Sequence, residues 1–299
     1  MHNGSLGEAP ATGFPPEHAQ RELTVLTWNV LAHVNTANIQ PTQASFGTEL
    51  ETASQRTARH RALIGRLMEL QPDVALLQEV DESFMPREWY GIGPLPCGAT
   101  LDGYVPFRSS NGGTGEVATV LLRSATVEGI STVCVSSGSP NGGAGGVVVH
   151  VRPLGATELL AVASVHLPFD KPIDQTALLM AAVSARAPLP QHDASAAAGS
   201  PIPRVPMVLG GDFQASPAAL KQSAVDSLLL NAGLSRVVTN MPTHMKNDDT
   251  IDHLYIAGMH VHGEPAVGSL PPLPHGPWTE GGGHDGSDHA WVCVRLSFM

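Results

Sequence analysis

Carboxylate, amide and imidazole side chains stand at the ends of several apolar, strand-like runs of this sequence. These side chains belong to Asn29, Glu79, His166, Asp212, Gln214, Asp252 and the dipeptide Asp288–His289. A single polar residue at the end of a buried strand usually caps a loop through local hydrogen bonds. Six such strand ends, all carrying residue types that bind cations or move protons, instead predict one shared site.

The segment VLGGDFQASP, residues 208–217, carries two of these side chains. Ser216 before Pro217 is well placed to cap the next helix, so Asp212 stays available for chemistry. Asp212 and Gln214 lie on the same side of an extended chain, because side chains alternate along a strand. We expect the two glycines of this segment to let the backbone come close to a phosphate.

Glu79 and His289 each require a partner that their sequence neighbours do not supply. A carboxylate at the end of a buried strand needs a compensating group, and a divalent cation is one. Adjacent strand residues point to opposite faces, so Asp288 cannot orient His289, and Asp252 is the candidate instead. The histidines interpreted as surface or loop residues are His33, His60, His192, His244, His260, His262, His275 and His284.

The composition disfavours a general polyanion-binding protein. The chain has 299 residues, with 27 acidic residues against 16 Lys and Arg, and a formal net charge of −11. Nucleic-acid affinity depends on Lys and Arg, so a phosphate substrate would need a local cationic patch or a bound metal ion. Clustered acidic residues suit a hard cation such as Mg²⁺. The hydrophobic fraction of 42% is enough for a sizeable core.

Cysteine usage and the lack of targeting features predict an intracellular protein. Cys97, Cys134 and Cys293 are far apart and form no C-x-x-C motif, which disfavours a disulfide framework or a zinc site. No apolar run approaches the length of a membrane span, and the N-terminal residues lack the features of a secretory signal. We expect a cytoplasmic location, with the nucleus and an organelle as alternatives.

Apolar periodicity predicts one domain over residues 22–299, preceded by a disordered lead-in over residues 1–21. The predicted helices cover residues 57–73, 174–187 and 216–233. The predicted strands cover residues 23–32, 74–80, 116–124, 126–137, 145–153, 158–168, 250–258 and 289–298, together with the run that ends at Asp212. Tyr104 is placed in a loop. Strand–helix–strand units on either side of an antiparallel middle favour an α/β fold of two mixed sheets packed face to face, with helices outside.

Six motifs in order carry a resemblance to a known family. TWNVLA, LLQEVD, SVHLP, GGDFQASP, TIDHLYI and GSDH, spread over residues 23–298, resemble the motifs of the endonuclease/exonuclease/phosphatase superfamily. The resemblance implies a four-layer α/β sandwich and a metal-dependent phosphoric ester hydrolase, with Mg²⁺ as cofactor and Mn²⁺ able to substitute.

The resemblance also implies roles for individual residues. Asn29, Glu79 and Asp288 would hold the metal, and His166 would contact the phosphate. Asp212 would orient or deprotonate the attacking water, and Gln214 stands where the family usually has Asn. Asp252 and Asp288–His289 would complete a histidine–carboxylate pair. Substrate binding would involve Asn29, His166 and Gln214.

Within the superfamily, the combination of TWNVLA and LQPDVALLQEVD most resembles the deadenylase-like branch, which contains the carbon-catabolite-repressor, nocturnin and Angel proteins. This implies a monomeric 3′–5′ exoribonuclease acting on single-stranded RNA. One alternative is a phosphatase or phosphodiesterase for a small nucleotide or inositol phosphate. Others are a DNA-repair endonuclease or a tyrosyl-DNA phosphodiesterase. The least favoured is a catalytically impaired binding protein, for which Gln214 is the best support.

Overall fold

The computed structural model describes residues 22–32, 52–109, 116–136, 145–168, 171–187, 205–244, 249–269, 287 and 289–299. The strands among them are β1 (Leu23–Asn29), β2 (Val74–Val80), β3 (Tyr104–Arg108), β4 (Val117–Arg123), β5 (Val127–Ser136), β6 (Gly145–Pro153), β7 (Leu160–His166), β8 (Met207–Asp212), β9 (Ser235–Val237), β10 (Asp252–Ala257), β11 (Met259–Gly268) and β12 (Trp291–Phe298). The helices are α1 (Ala53–Leu70), α2 (Pro172–Ser184), α3 (Pro217–Gln222) and α4 (Ala224–Asn231). The predicted lead-in, residues 1–21, lies outside the described residues.

The described strands form two six-stranded mixed sheets. Sheet I has the order β11-β12-β1-β2-β4-β3, and sheet II has the order β5-β6-β7-β8-β10-β9. Each sheet has one parallel pair at its centre, β1 with β2 and β7 with β8, and a helix connects the two strands of each pair. The remaining pairs are antiparallel. The second half of the chain thus repeats the plan of the first, as the sequence predicted.

Three apolar layers hold the sandwich together. The layer between the sheets includes Val25, Leu76, Val162 and Val208. A second layer lies between sheet I and α1, and a third lies between sheet II and the other helices. Strand β1 contributes to two layers, because its alternate side chains point to opposite faces. The predicted four-layer α/β sandwich is confirmed.

Helix boundaries differ from the predicted ones where capping residues decide them. Helix α1 begins at Ala53, because Thr52 forms a reciprocal capping box with Gln55. The helix predicted over residues 216–233 is two helices, since Ser223 adopts extended backbone (φ −90°, ψ 164°) and caps α4 by accepting from the Val225 N–H. Ser216 caps α3 as expected, with Pro217 at its start.

Three strands were missed by the sequence analysis, and the loop placement of Tyr104 is wrong. Tyr104 begins β3, and its buried hydroxyl donates to the carbonyl of Pro72 at 2.8 Å. Strand β3 contains Pro106 and pairs only with β4 at the edge of sheet I, a position where proline is tolerated. Strands β9 and β11 are also edge strands, and edge strands lack the continuous apolar run of central ones.

The topology places the predicted site residues at one end of the sandwich. In sheet II, His166 at the end of β7 is opposite Asp212 at the end of β8, and Asp212 is opposite Asp252 at the start of antiparallel β10. In sheet I, the parallel register sets Asn29 opposite Gln78. No helix in the described part of the chain is long and apolar enough to cross a membrane.

Candidate active site

Asn29 connects carboxylates that belong to the two different sheets. Its Nδ2 donates to Oε1 of Glu79 in sheet I at 2.9 Å and to Oδ2 of Asp212 in sheet II at 3.1 Å. Asn29 and Asp212 are fully buried, and Glu79 is 7% exposed. In this arrangement the amide nitrogen of Asn29 faces the carboxylates, and one side chain fixes their separation.

Backbone amides after β1 hold the other oxygens of the same groups. The Leu31 N–H donates to Oδ1 of Asn29 at 2.9 Å, and the Ala32 N–H donates to Oε2 of Glu79 at 3.0 Å. Leu31 and Glu79 both have a φ of 56°, which is uncommon for residues with a side chain. Such conformations persist only where the surroundings fix them, and they concentrate at functional sites.

Gln214 contacts Asp212 twice. Its backbone N–H donates to Oδ1 of Asp212 at 2.8 Å, and its Nε2 donates to Oδ2 at 2.7 Å. Gln214 has a φ of 53°, and this left-handed turn directs its backbone N–H and its side chain back to the carboxylate. Gln214 therefore positions Asp212, whatever further contact it makes with a substrate.

The glycines before Asp212 are required by packing, and their close approach to a phosphate stays a prediction. A Cβ on Gly210 would lie 2.8 Å from side-chain atoms of Leu76 and Leu254, between the sheets. A Cβ on Gly211 would lie 1.9 Å from the carbonyl oxygen of Val165 on β7. Both glycines therefore let strand β8 pack closely inside the sandwich.

His289 is paired with Asp252 across the two sheets. Its Nδ1 lies 2.8 Å from Oδ2 of Asp252, and its Nε2 lies 3.7 Å from Oδ2 of Asp212. A carboxylate only accepts, so Nδ1 of His289 carries the hydrogen and Nε2 faces Asp212. Ser287 fixes the backbone before β12, because its hydroxyl accepts from the His289 N–H at 3.1 Å and donates to the Asn29 carbonyl at 2.6 Å.

The donor atoms of the site fit a divalent cation. Glu79, His166 and Asp212 each offer one donor atom, and these three atoms lie within 4.8 Å of one another. Asp212, Asp252 and His289 form a second such group, and Oδ1 of Asp252 is buried without a hydrogen-bond partner among the described residues. Buried carboxylates need compensating positive charge, and oxygen-rich groups suit hard cations.

Burial of Asp212 changes its acidity. Desolvation raises the pKa of Asp212, and the negative charge of Asp252 acts in the same direction. The nearby imidazoles of His289 and His166, and the N–H of Gln214, act in the opposite direction. A carboxylate with a raised pKa is a better proton acceptor at neutral pH than an exposed one.

The structure thus brings together seven of the eight predicted site residues. They are Asn29, Glu79, His166, Asp212, Gln214, Asp252 and His289. His166 is the most exposed residue of the first metal-binding group, with Nε2 3.7 Å from Glu79 and 3.9 Å from Asp212. The eighth predicted residue, Asp288, lies outside the described residues.

Two histidines assigned to the surface or a loop are in fact largely buried. His60 is 2% exposed and packs edge-on against Phe84. His244 is 9% exposed, and its ring centroid lies 5.0 Å from that of His289. His253 turns away from the site, with Nε2 2.9 Å from the Ala215 carbonyl oxygen, and burial lowers its pKa.

Sequence reasoning also missed two residues that support the site from outside it. Arg59 on α1 donates through Nη1 to the carbonyls of Val30 and Leu31 at 3.0 and 2.8 Å. Thr243, before β10, is fully buried and accepts from the Asp252 N–H at 2.9 Å. Helical spacing in the sequence gives Arg59 an inward position, but nothing local to Thr243 marks it.

Comparisons with known proteins agree with this geometry. The sequence profile described as the Endonuclease/Exonuclease/phosphatase family matches residues 26–289. No curated protein matches the chain.

Solved structures of several activities share the fold. ANGEL2, described as a 2′,3′-cyclic phosphatase in complex with adenosine-2′,3′-vanadate, is 16% identical, with a TM-score of 0.65 over 93% of this chain and 96% of its own. The human Nocturnin catalytic domain with bound sulfate is 16% identical, with a TM-score of 0.61 over 93% and 95%. A mannosyl-6-phosphatase of Bacteroides thetaiotaomicron is 13% identical, with a TM-score of 0.66 over 92% and 100%.

Proposed function

We propose, from the premise that the chain belongs to the Endonuclease/Exonuclease/phosphatase family of metal-dependent phosphoester hydrolases, that it is a Mg²⁺-dependent 3′–5′ exoribonuclease of deadenylase type. The observation that carries the hydrolytic part is the position of Asp212. Its Oδ2 lies within 4 Å of Asn29, Gln214, His166 and His289. One carboxylate oxygen of Asp212 therefore faces four of the other predicted site residues.

Glu79 would hold the metal. Asn29, also predicted as a ligand, faces Glu79 and Asp212 through its amide nitrogen, which cannot bind a cation, so Asn29 would instead keep these two side chains in place. Asp288 remains a proposed further ligand. When bound, a divalent ion supplies charge neutralisation of the phosphate oxygens and of the developing negative charge. The oxygen-rich donor set favours Mg²⁺, with Mn²⁺ as a substitute.

Asp212 would accept the proton of the attacking water. The two donors from Gln214 fix the direction of its carboxylate, and burial raises its pKa. Both effects favour a general base, because its lone pair is oriented and its affinity for a proton is increased.

His289 would donate through Nε2 to a phosphate oxygen. Asp252 accepts from Nδ1 and so orients the ring, and the proposed donation from Nε2 requires the imidazole to carry a hydrogen on both nitrogens. His166, at the more exposed side of the group, would contact another phosphate oxygen. Donors aimed at the charge that develops on phosphate lower the barrier because their orientation is fixed in advance.

The RNA part of the proposal rests on sequence motifs and on two solved structures. TWNVLA and LLQEVD resemble the deadenylase-like branch, and ANGEL2 and nocturnin are among the structures with the same fold. Both structures are 16% identical to this chain, and the substrate panel described below tests the choice of RNA.

A small phosphoester is the second candidate, and the charge of the chain favours it. The net charge is −11, and three basic residues lie between His166 and Asp212: Lys171, Arg186 and Arg204. Of these, Arg186 is 8% exposed and donates to the carbonyls of Val205 and Ala232. Its guanidinium is therefore committed to the fold, which leaves two basic residues of this segment for contact with an RNA strand.

A substrate panel with matched variants tests both candidates. Purified protein is incubated in Mg²⁺ or EDTA with oligo(A), single-stranded DNA, abasic duplex, 5′-tyrosyl DNA, dinucleotides, and inositol phosphates. We expect Mg²⁺-dependent release of AMP from oligo(A). Asp212→Ala should lower the rate about 10²–10⁴-fold, whereas Asp102→Ala, at an exposed loop carboxylate, should not.

Each outcome of the panel separates the candidates. Hydrolysis of dinucleotides or inositol phosphates with intact oligo(A) would replace the exoribonuclease by the small-substrate enzyme. Equal rates for wild type and Asp212→Ala would remove Asp212 from its proposed role. Absence of hydrolysis throughout the panel would leave the catalytically impaired binding protein as the remaining hypothesis.

A further inference from the structure

His289 and Asp252 form a pair whose two members belong to different sheets. Asp252 is the first residue of β10 in sheet II, and His289 precedes β12 in sheet I. Ser287 and Trp28 fix the backbone of His289, through bonds of 3.1 Å each, relative to sheet I. Neither hydrogen bond fixes the position of the His289 backbone relative to Asp252. Strands β10 and β12 do not pair with each other, because they belong to different sheets.

Thr243 bonds to the backbone at the start of β10 and to the backbone just before β12. Its Oγ1 accepts from the Ile251 N–H at 3.1 Å and the Asp252 N–H at 2.9 Å. Its carbonyl accepts from the Ala290 N–H at 2.6 Å, next to His289. Thr243 is fully buried, so these bonds are shielded from competition with water.

The residues around Thr243 continue this connection. The Thr243 N–H donates to the carbonyl of Asp249 at 2.9 Å. The next residue, His244, forms an isolated antiparallel bridge with His289, and the two rings are 5.0 Å apart. The segment therefore lies along the His289 backbone and joins it to the start of β10.

We propose that Thr243 is a positioning residue that sets the separation of Asp252 and His289. The proposal rests on the proposed function only for its rate measurement. The carbonyl of Thr243 fixes the backbone position of Ala290, and the hydroxyl fixes the backbone position of Asp252. Only the hydroxyl can be removed by substitution, so it offers the test.

Two substitutions isolate the hydroxyl. Thr243→Val keeps the shape of the side chain but removes the acceptor, whereas Thr243→Ser keeps the acceptor. Thr119→Val is the matched control. Thr119, in β4, is fully buried like Thr243, but its hydroxyl has no hydrogen-bond partner among the described residues. Thr243→Ala replaces Thr243→Val if the latter does not fold.

The first measurement is the rate with whichever substrate of the panel the wild type hydrolyses. We expect Thr243→Val to lower kcat about 10–100-fold, a loss typical of groups that orient catalytic residues, with KM nearly unchanged. Thr243→Ser and Thr119→Val should retain kcat within about threefold. In a His289→Ala background, Thr243→Val should cause little further loss, because residues that act as a unit are not additive.

The second measurement does not depend on activity. In the metal-free protein, the NMR signal of the His289 Nδ1–H, assigned by its loss in His289→Gln, reports the bond to Asp252. We expect Thr243→Val to shift or broaden this signal and Thr243→Ser to preserve it. An unchanged signal together with an unchanged kcat, or an equal loss of rate in the His289→Ala background, would overturn the proposal. A panel without any hydrolysis would contradict the proposed function while the NMR test still decides the role of Thr243.

Discussion

At the scale of single residues, the structure shows where the side chain of Gln214 goes, which is one methylene longer than that of Asn. Its side chain folds back onto Asp212, with Nε2 2.7 Å from Oδ2, and its φ of 53° is left-handed. Left-handed backbone costs most residues roughly 1–2 kcal/mol, and Asn less. The site therefore accepts strained backbone at residue 214 in exchange for two donors on one buried carboxylate.

Replacing Gln214 separates these two effects. Asn is shorter by about one C–C bond, ~1.5 Å, so Gln214→Asn should lose the side-chain contact while its backbone N–H stays on Asp212. We expect kcat to fall in the order Gln, Asn, Ala. The free energy of unfolding should change by less than about 1 kcal/mol for Asn, since relief of backbone strain offsets the lost bond.

Steady-state kinetics and urea unfolding of wild type, Gln214→Asn and Gln214→Ala measure the two quantities. Gln214→Ala keeps the left-handed strain and loses the side-chain donor, so it should be the least stable of the three. A gain in rate for Gln214→Asn would instead mean that the natural site is impaired by Gln.

At the scale of elements, helix α1 supports the site through Arg59. The guanidinium holds the carbonyls of Val30 and Leu31, and the amides of the same turn hold the side chains of Asn29 and Glu79. A residue on a helix thus supports, through one turn of backbone, two side chains at strand ends. Arg59 is 5% exposed, which keeps its bonds to the turn away from water.

Removing the guanidinium of Arg59 should chiefly weaken the binding of the metal ion. Arg59→Met leaves the two carbonyls without this donor and frees the turn, so we expect the Kd for Mn²⁺ to rise about 10–100-fold. Isothermal titration of metal-free protein with MnCl₂ measures it. Arg59→Lys should be intermediate, because an ammonium lacks the planar fork of a guanidinium.

Arg66→Met provides the control on the same helix. Arg66 is partly exposed and pairs with Glu69 at 2.8 Å on the surface, and such pairs contribute little to stability. Its replacement should leave the Kd unchanged. An unchanged Kd for Arg59→Met as well would separate α1 from the site.

At the scale of the whole molecule, a polar contact joins the two sheets beneath the site. Ser164 on β7 donates to the carbonyl of Leu77 on β2 at 2.8 Å, and Nε2 of Gln78 donates to Ser164 Oγ at 3.1 Å. Apolar packing between sheets tolerates sliding, whereas hydrogen bonds are directional. This contact therefore fixes the register in which Glu79, one residue after Gln78, and His166, two residues after Ser164, face each other.

Ser164→Ala should cost stability out of proportion to the atom removed. The change removes the hydroxyl that donates to the Leu77 carbonyl and accepts from Nε2 of Gln78. A buried polar group that loses its hydrogen bond costs about 1–3 kcal/mol. Urea unfolding measures the loss, with Thr119→Val as the near-neutral control. Ser164→Ala with Gln78→Met should lose less than the sum of the single changes, because the two residues share one network. Simple additivity would contradict the shared network.

Much of the fold and of the candidate site was predictable because the signals are local. Alternating and continuous apolar runs predicted the central strands. The polar residues at the ends of the strands predicted the site residues Asn29, Glu79, His166, Asp212 and Asp252. Capping residues such as Thr52 explain where a helix boundary was misplaced. Edge strands such as β3 were missed, since a strand with Pro106 and exposed neighbours has no strong local pattern.

The sequence by itself determined which side chains could do chemistry and that they end central strands, because residue type and periodicity are properties of short segments. Only the tertiary structure decided which sheet each strand joins, and therefore that Asn29 links Glu79 to Asp212 and that His289 reaches Asp252 across the sandwich. It also decided that Gly210 and Gly211 serve packing, and that Thr243 and His244 lie beside His289. These contacts join residues far apart in the chain, and strand order and register, which no local pattern encodes, bring them together.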